Sequence, residues 1–165
     1  MALNTFDKVL FAGYPRLAEF IQNMYDNMVL LLAGTFTSAI SSTGAIKSSS
    51  ASGGVGYATG AGGAVTQITS SATSVTLNKV AGQITTVALT TAAAAEEEFT
   101  LTNSTIAATD VVALSTTYTG AGTPMLSVRA MAAGSCKITI TNVHASNALN
   151  ALMVINFAVI KSVAA

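Results

Sequence analysis

The sequence predicts a mainly β fold: an antiparallel, jelly-roll-like sandwich of about eight strands. A short helical N-terminal region and an extended Gly/Ser-rich arm precede it. Three observations carry this. Residues 64–163 alternate short Val/Ile/Thr/Leu runs with small-residue turns. No helical periodicity interrupts those runs, and regularly spaced short strands without helices are the pattern of a sandwich. Ahead of them, a 3.6-residue apolar rhythm is confined to the first 34 residues. The domain limits that follow are 1–34, 35–56 and 57–165.

The helical expectation for 1–34 rests on Leu17, Phe20, Ile21, Met24, Met28 and Leu31. They recur at i, i+3, i+4 and i+7, which places them on one helix face. Pro15 suits a first helical turn, where its missing N–H costs nothing. Gly34 stands where a helix end favours a left-handed residue. The apolar set is wide, so this helix has more than one side to bury. These six residues are the candidate attachment or trimer-contact set. The alternative is that they close the base of the sandwich within one chain.

The stretch 35–56 holds too few large apolar residues for a core and reads as an arm, with Phe36, Ile40 and Ile46 as anchors against a neighbour. Strands are expected at 64–69, 74–77, 83–90, 97–103, 110–116, 124–131, 135–143 and 152–161. Period-2 alternation sets their faces. Phe99 and Leu101 point one way, and Glu98, Thr100 and Thr102 the other. Ile138 and Ile140 share a face opposite threonines. The run from Val154 to Ile160 is apolar or small on both faces, as in a central strand. An eight-stranded jelly roll accommodates this number of strands.

Composition narrows function. The 165 residues carry seven Lys or Arg and seven Asp or Glu, so charged residues are 8% of the chain. A typical domain has about a quarter. Net charge is zero, and no basic block provides the footprint of a nucleic-acid binder. Mean hydropathy is +0.59, but the longest apolar runs are too short for a membrane span and no targeting segment is evident. One cysteine, Cys136, forms no internal disulfide and reads as a small buried apolar residue. A reducing interior is then the expected place of synthesis.

Chemistry is sparse. His144, the one histidine, follows a strand, and no Gly-x-Ser-x-Gly elbow accompanies it. One Cys and one His do not make a structural zinc site. Glu96-Glu97-Glu98 is the densest charge cluster. Calcium binding is one reading of it; the stronger one is an acidic strand entrance, solvated or paired with Arg129 or Lys137. The acidic residues of the sandwich do not form a glycosidase pair. Gly56, Gly60, Gly62 and Gly63 lack the Lys-Ser/Thr of a phosphate loop. No catalytic, cofactor or metal residue is expected, and the chain is not read as an enzyme. So little surface charge fits a protein that packs against other copies or other proteins.

One stretch carries a family signal. It runs from Gly56-Tyr57-Ala58-Thr59-Gly60 through Val65-Thr66-Gln67-Ile68-Thr69 to Leu77-Asn78-Lys79 and Gly82-Gln83-Ile84-Thr85. Phe99-Thr100-Leu101-Thr102-Asn103-Ser104, Gly134-Ser135-Cys136-Lys137-Ile138 and Ile155-Asn156-Phe157-Ala158-Val159-Ile160-Lys161 continue it. Together these resemble a β-sandwich module of tailed-bacteriophage structural proteins, found in capsid decoration (cement) proteins and in tail fibre or spike proteins. The resemblance spans residues 56–161 and implies a non-enzymatic, trimeric virion component made in the host cytoplasm.

The expected function is a capsid decoration protein. It binds the outer surface of the major capsid protein as a homotrimer and stabilises the head. The short segment ahead of the module favours this over a tail or head fibre module that binds a host surface glycan. A shell-forming jelly roll would need a larger sandwich.

Overall fold

In the computed structural model, residues 54–163 are described continuously, together with Glu19, Phe20, Asn23, Met24, Ser49 and Ala51. The chain divides after Gly54, and the unit Val55–Ala165 is treated by itself. It contains eight strands: β1 (Ala64–Thr66), β2 (Val75–Thr76), β3 (Ala81–Thr85), β4 (Glu96–Thr102), β5 (Val111–Tyr118), β6 (Pro124–Ala132), β7 (Ser135–Asn142) and β8 (Met153–Ile160). Each overlaps one strand read from the sequence.

The strands form two four-stranded sheets, ordered β1-β3-β8-β5 and β2-β4-β7-β6. Inward residues alternate with outward ones along each strand. Phe99, Leu101, Ile138 and Ile140 from the second sheet meet Ile84, Ile155, Phe157 and Val159 from the first in one core. Burying each such side chain contributes on the order of 1.5–3 kcal/mol. The faces expected for Phe99, Leu101, Ile138 and Ile140 are those observed. β8 is central, with β3 and β5 on its two sides, as its two-sided apolar pattern requires.

The sheets are mixed rather than wholly antiparallel. β1 runs parallel to β3, and β2 runs parallel to β4. The cause lies in the chain path. From β1 to β6 successive strands alternate between the two sheets, and a short connection that turns back over the opposite sheet reverses the direction of the chain each time. Two reversals return the chain to its first sheet in its first direction, which makes β1/β3 and β2/β4 parallel. The β6–β7 hairpin stays within one sheet and shifts that phase. β7 and β8 then enter antiparallel to their neighbours.

Close approach and turn geometry fix two glycines. A Cβ on Gly82 would lie 2.7 Å from the Gly63 carbonyl oxygen and 2.7 Å from Leu77 Cδ2. The two-residue turn Ala133-Gly134 closes the β6–β7 hairpin, and Gly134 supplies the positive φ, 82°, that this turn requires. The expected strand at 83–90 starts two residues earlier and ends at Thr85. There the Thr86 hydroxyl accepts the Met153 N–H, and the chain leaves the ladder.

Candidate functional site

The two outward sheet faces differ in chemistry. On the first sheet, the register places Gln83, Asn156 and Ser115 in one row across β3, β8 and β5. Gln83 Nε2 donates to Asn156 Oδ1 at 2.9 Å. The adjacent rows are Ala81–Ala158–Ala113 and Thr85–Val154–Thr117, and Val111 opposite Ile160 completes the face. Val111 and Ile160 are both exposed. A shallow groove of about 220 Å³ runs between β5 and β8, lined by Ala113, Ser115, Asn156 and Ala158 with Leu114 and Phe157 at its floor. No residue of this face is charged.

The second sheet carries the charge. Glu98, between Lys137 and Arg129, accepts from Lys137 Nζ at 2.6 Å and from Arg129 Nε. Arg129 also lies 3.6 Å from Glu96. The Lys137 hydrogen bond, then that of Arg129, holds the Glu98 carboxyl below its usual range. The Glu triplet thus opens β4, with Glu96 and Glu98 facing outward and paired as the sequence favoured. Glu97 faces the other way and accepts from the Thr91 hydroxyl.

Between the sheets, loops are tied by buried polar side chains. Asn142, fully buried, donates from Nδ2 to the carbonyls of Thr91, Ala92 and Asn147. Its Oδ1 accepts from Thr123 and His144 N–H groups. His144 Nδ1 accepts from the Ser146 and Asn147 N–H groups, which makes it part of the turn. The Asp110 side chain is 1% exposed and meets Lys161 Nζ at 2.6 Å. It also accepts from Ala107 N–H at 2.8 Å and Ser162 N–H at 3.2 Å. Lys161, with these backbone donors, holds the Asp110 carboxyl below its ordinary range. Cys136 is buried in the core, and burial pushes its thiol up to about 11. Among the described residues no three His, Cys, Asp or Glu side chains come together as metal ligands, and no described helix is long and apolar enough to cross a membrane.

Of the six candidate contact residues, Phe20 and Met24 are described. Both have helical backbone and both are exposed, at 61% and 57%. Leu17, Ile21, Met28 and Leu31 lie outside the described residues. Of the arm 35–56, Ser49, Ala51 and residues 54–56 are described, and the rest lies outside the described residues.

Sequence reasoning left two features unfound. Asn142, and Asn103, which donates from Nδ2 to the Lys79 carbonyl and accepts at Oδ1 from the Thr105 N–H and hydroxyl, are loop-organising hubs, and the available signal was an Asn at the end of a β-branched run. The segregation of all outward strand charge onto one sheet was hidden because it depends on which strands share a sheet. Comparisons with family models, with curated proteins and with solved structures find no match to this chain.

Proposed function

We propose that this protein is a structural virion component: a capsid decoration protein, jelly-roll-like in fold, that binds the outer capsid surface as a homotrimer and stabilises the head. The observation that supports it best is the uncharged outer face of the β1-β3-β8-β5 sheet. A surface of Thr, Ser, Ala, Asn, Gln, Val and Ile can be covered by a neighbour without desolvating an ion, which would be costly. The buried polar groups meanwhile serve loops rather than a reaction. Asn142 and His144 spend their hydrogen bonds on nearby backbone, and Asp110 divides its own between the Ala107 and Ser162 N–H groups and the Lys161 ammonium. The virion assignment itself rests on the resemblance of residues 56–161 to tailed-phage sandwich modules. In this reading the helical region 1–34, with Leu17, Phe20, Ile21, Met24, Met28 and Leu31, seats the protein on the major capsid protein or on its own copies. Many weak apolar contacts, repeated over three chains, give avidity without one strong site.

The test is attachment. Removing residues 1–34 is expected to abolish capsid binding and leave the sandwich soluble. Full occupancy of the capsid by the truncated protein would refute the attachment role. Copy number separates this reading from a glycan-binding fibre module, since a decoration protein is present in hundreds per particle and a fibre in a handful.

A further inference from the structure

A sheet edge is an open row of N–H and C=O groups, and natural proteins blunt such edges by shortness, proline, charge or a bulge. This sandwich has four edges, and three are blunted. β1 and β2 have three and two residues. β6 begins with Pro124 and carries the exposed Arg129. Its register shifts between Arg129 and Ala132, where Ala130 takes a φ of 50°. The fourth edge, β5, has none of these devices. It is eight residues long, Val-Val-Ala-Leu-Ser-Thr-Thr-Tyr, without charge or proline. It pairs with β8 in unbroken register from Val111 to Tyr118, and no described strand pairs with its other side.

The geometry points to β5 as the edge at which a second copy of this chain joins, antiparallel to its own β5 about a two-fold axis. The occupant follows from the strand itself. From Val111 to Ser115 its outward residues are odd-numbered and its inward ones even-numbered, as the alternation of exposed Val111, Ala113 and Ser115 with buried Val112 and half-buried Leu114 shows; beyond them Thr116, although in the inward register, is exposed. Continuous faces require partners of equal parity. The register that sets Leu114 against its own copy meets this condition. It places Ala113 opposite the copy's Ser115, and half-buried Leu114 gains cover from an identical side chain. No like charges face each other, because β5 has none and the flanking face has none. The product is one eight-stranded sheet, within the usual range of sheet size. This contact needs no capsid, and it is separate from the threefold association proposed above: it joins one copy to another whether or not the N-terminal regions also meet.

The test uses the full-length protein, with mass read by light scattering across the micromolar range. The wild type is expected to show an even-numbered species in equilibrium with half its mass. The double substitution A113K/S115K sets lysines opposite each other at both sites and is expected to weaken that equilibrium at least tenfold, about 1.4 kcal/mol. A113K/S115E sets opposite charges at the same two sites and is expected to restore it. Both positions are exposed, and an unchanged melting temperature marks the variants as folded. Independently, Leu114→Cys is expected to give a disulfide-linked dimer on mild oxidation, because Cys136 is buried and does not compete. A wild type that is monomeric throughout overturns the proposal. So does an oligomer indifferent to A113K/S115K, or equal weakening by both double variants, or a Leu114→Cys protein that does not cross-link. An odd-numbered oligomer unaffected by these changes would refute the β5 contact while leaving the trimeric reading intact.

Discussion

Asn142 joins three loops through one side chain. Its amide donates to carbonyls on the Thr91–Ala92 segment and on Asn147, and its oxygen accepts two N–H groups that begin neighbouring turns. Replacing it by Ala strands these buried partners, each at a desolvation cost. Asn142→Ala is expected to lower stability by about 2–4 kcal/mol in denaturant unfolding. Asp110 makes a comparable clasp that depends on its charge. Its folded pKa lies below the ordinary aspartate value of about 3.9, so its contribution is complete above that value. That contribution is lost as pH falls through the depressed folded value. Melting temperature should therefore decline below about pH 4 in the wild type. In Asp110→Asn, stability should be lower at neutral pH and the acid decline shallower; an unchanged acid profile would remove Asp110 from this role.

At the scale of elements, the strands were legible and their arrangement was not. Alternation in 96–102 and 135–142 exposes the period of a half-buried strand, and β-branched density marks 153–160 as central. The parallel β1/β3 and β2/β4 pairs were hidden because a connection of a few residues serves equally for a hairpin or for a step to the opposite sheet. Only the sum of those steps sets direction. The periodicity of Leu17, Phe20, Ile21, Met24, Met28 and Leu31 stays an expectation, since only Phe20 and Met24 lie among the described residues, while the uncharged face needed the register to appear. Two backbone features make element-scale predictions. Gly82 on β3 sits against the Gly63 carbonyl and Leu77, so Gly82→Ala is expected to destabilise by about 1–3 kcal/mol, read as an earlier urea midpoint. Ala130 holds the β6 bulge with a φ of 50°, a conformation that strains an L side chain. Ala130→Gly should relieve that strain and raise stability by up to about 1 kcal/mol. A fall instead would mean the bulge is held at no conformational cost.

For the whole molecule, the distribution of charge matters more than its scarcity. The chain has zero net charge, and the outward strand charges of the sandwich sit on the β2-β4-β7-β6 sheet as the balanced group Glu96, Glu98, Arg129 and Lys137. The other sheet and its β5 edge carry none. Self-association through that side therefore has no Coulombic part to screen. Between about 0.05 and 0.5 M NaCl the screening length shrinks severalfold, yet the β5-mediated dissociation constant is expected to change less than about threefold. Sulfate should tighten it, because excluded salts favour burial of apolar and weakly polar surface. Association through the charged sheet would behave in the opposite way. Burying the Glu98–Arg129–Lys137 group would couple the equilibrium to ionic strength, and dissociation would rise steeply with NaCl. A salt titration followed by analytical ultracentrifugation thus reads out which sheet is used, and a steep NaCl dependence would assign the contact to the charged face.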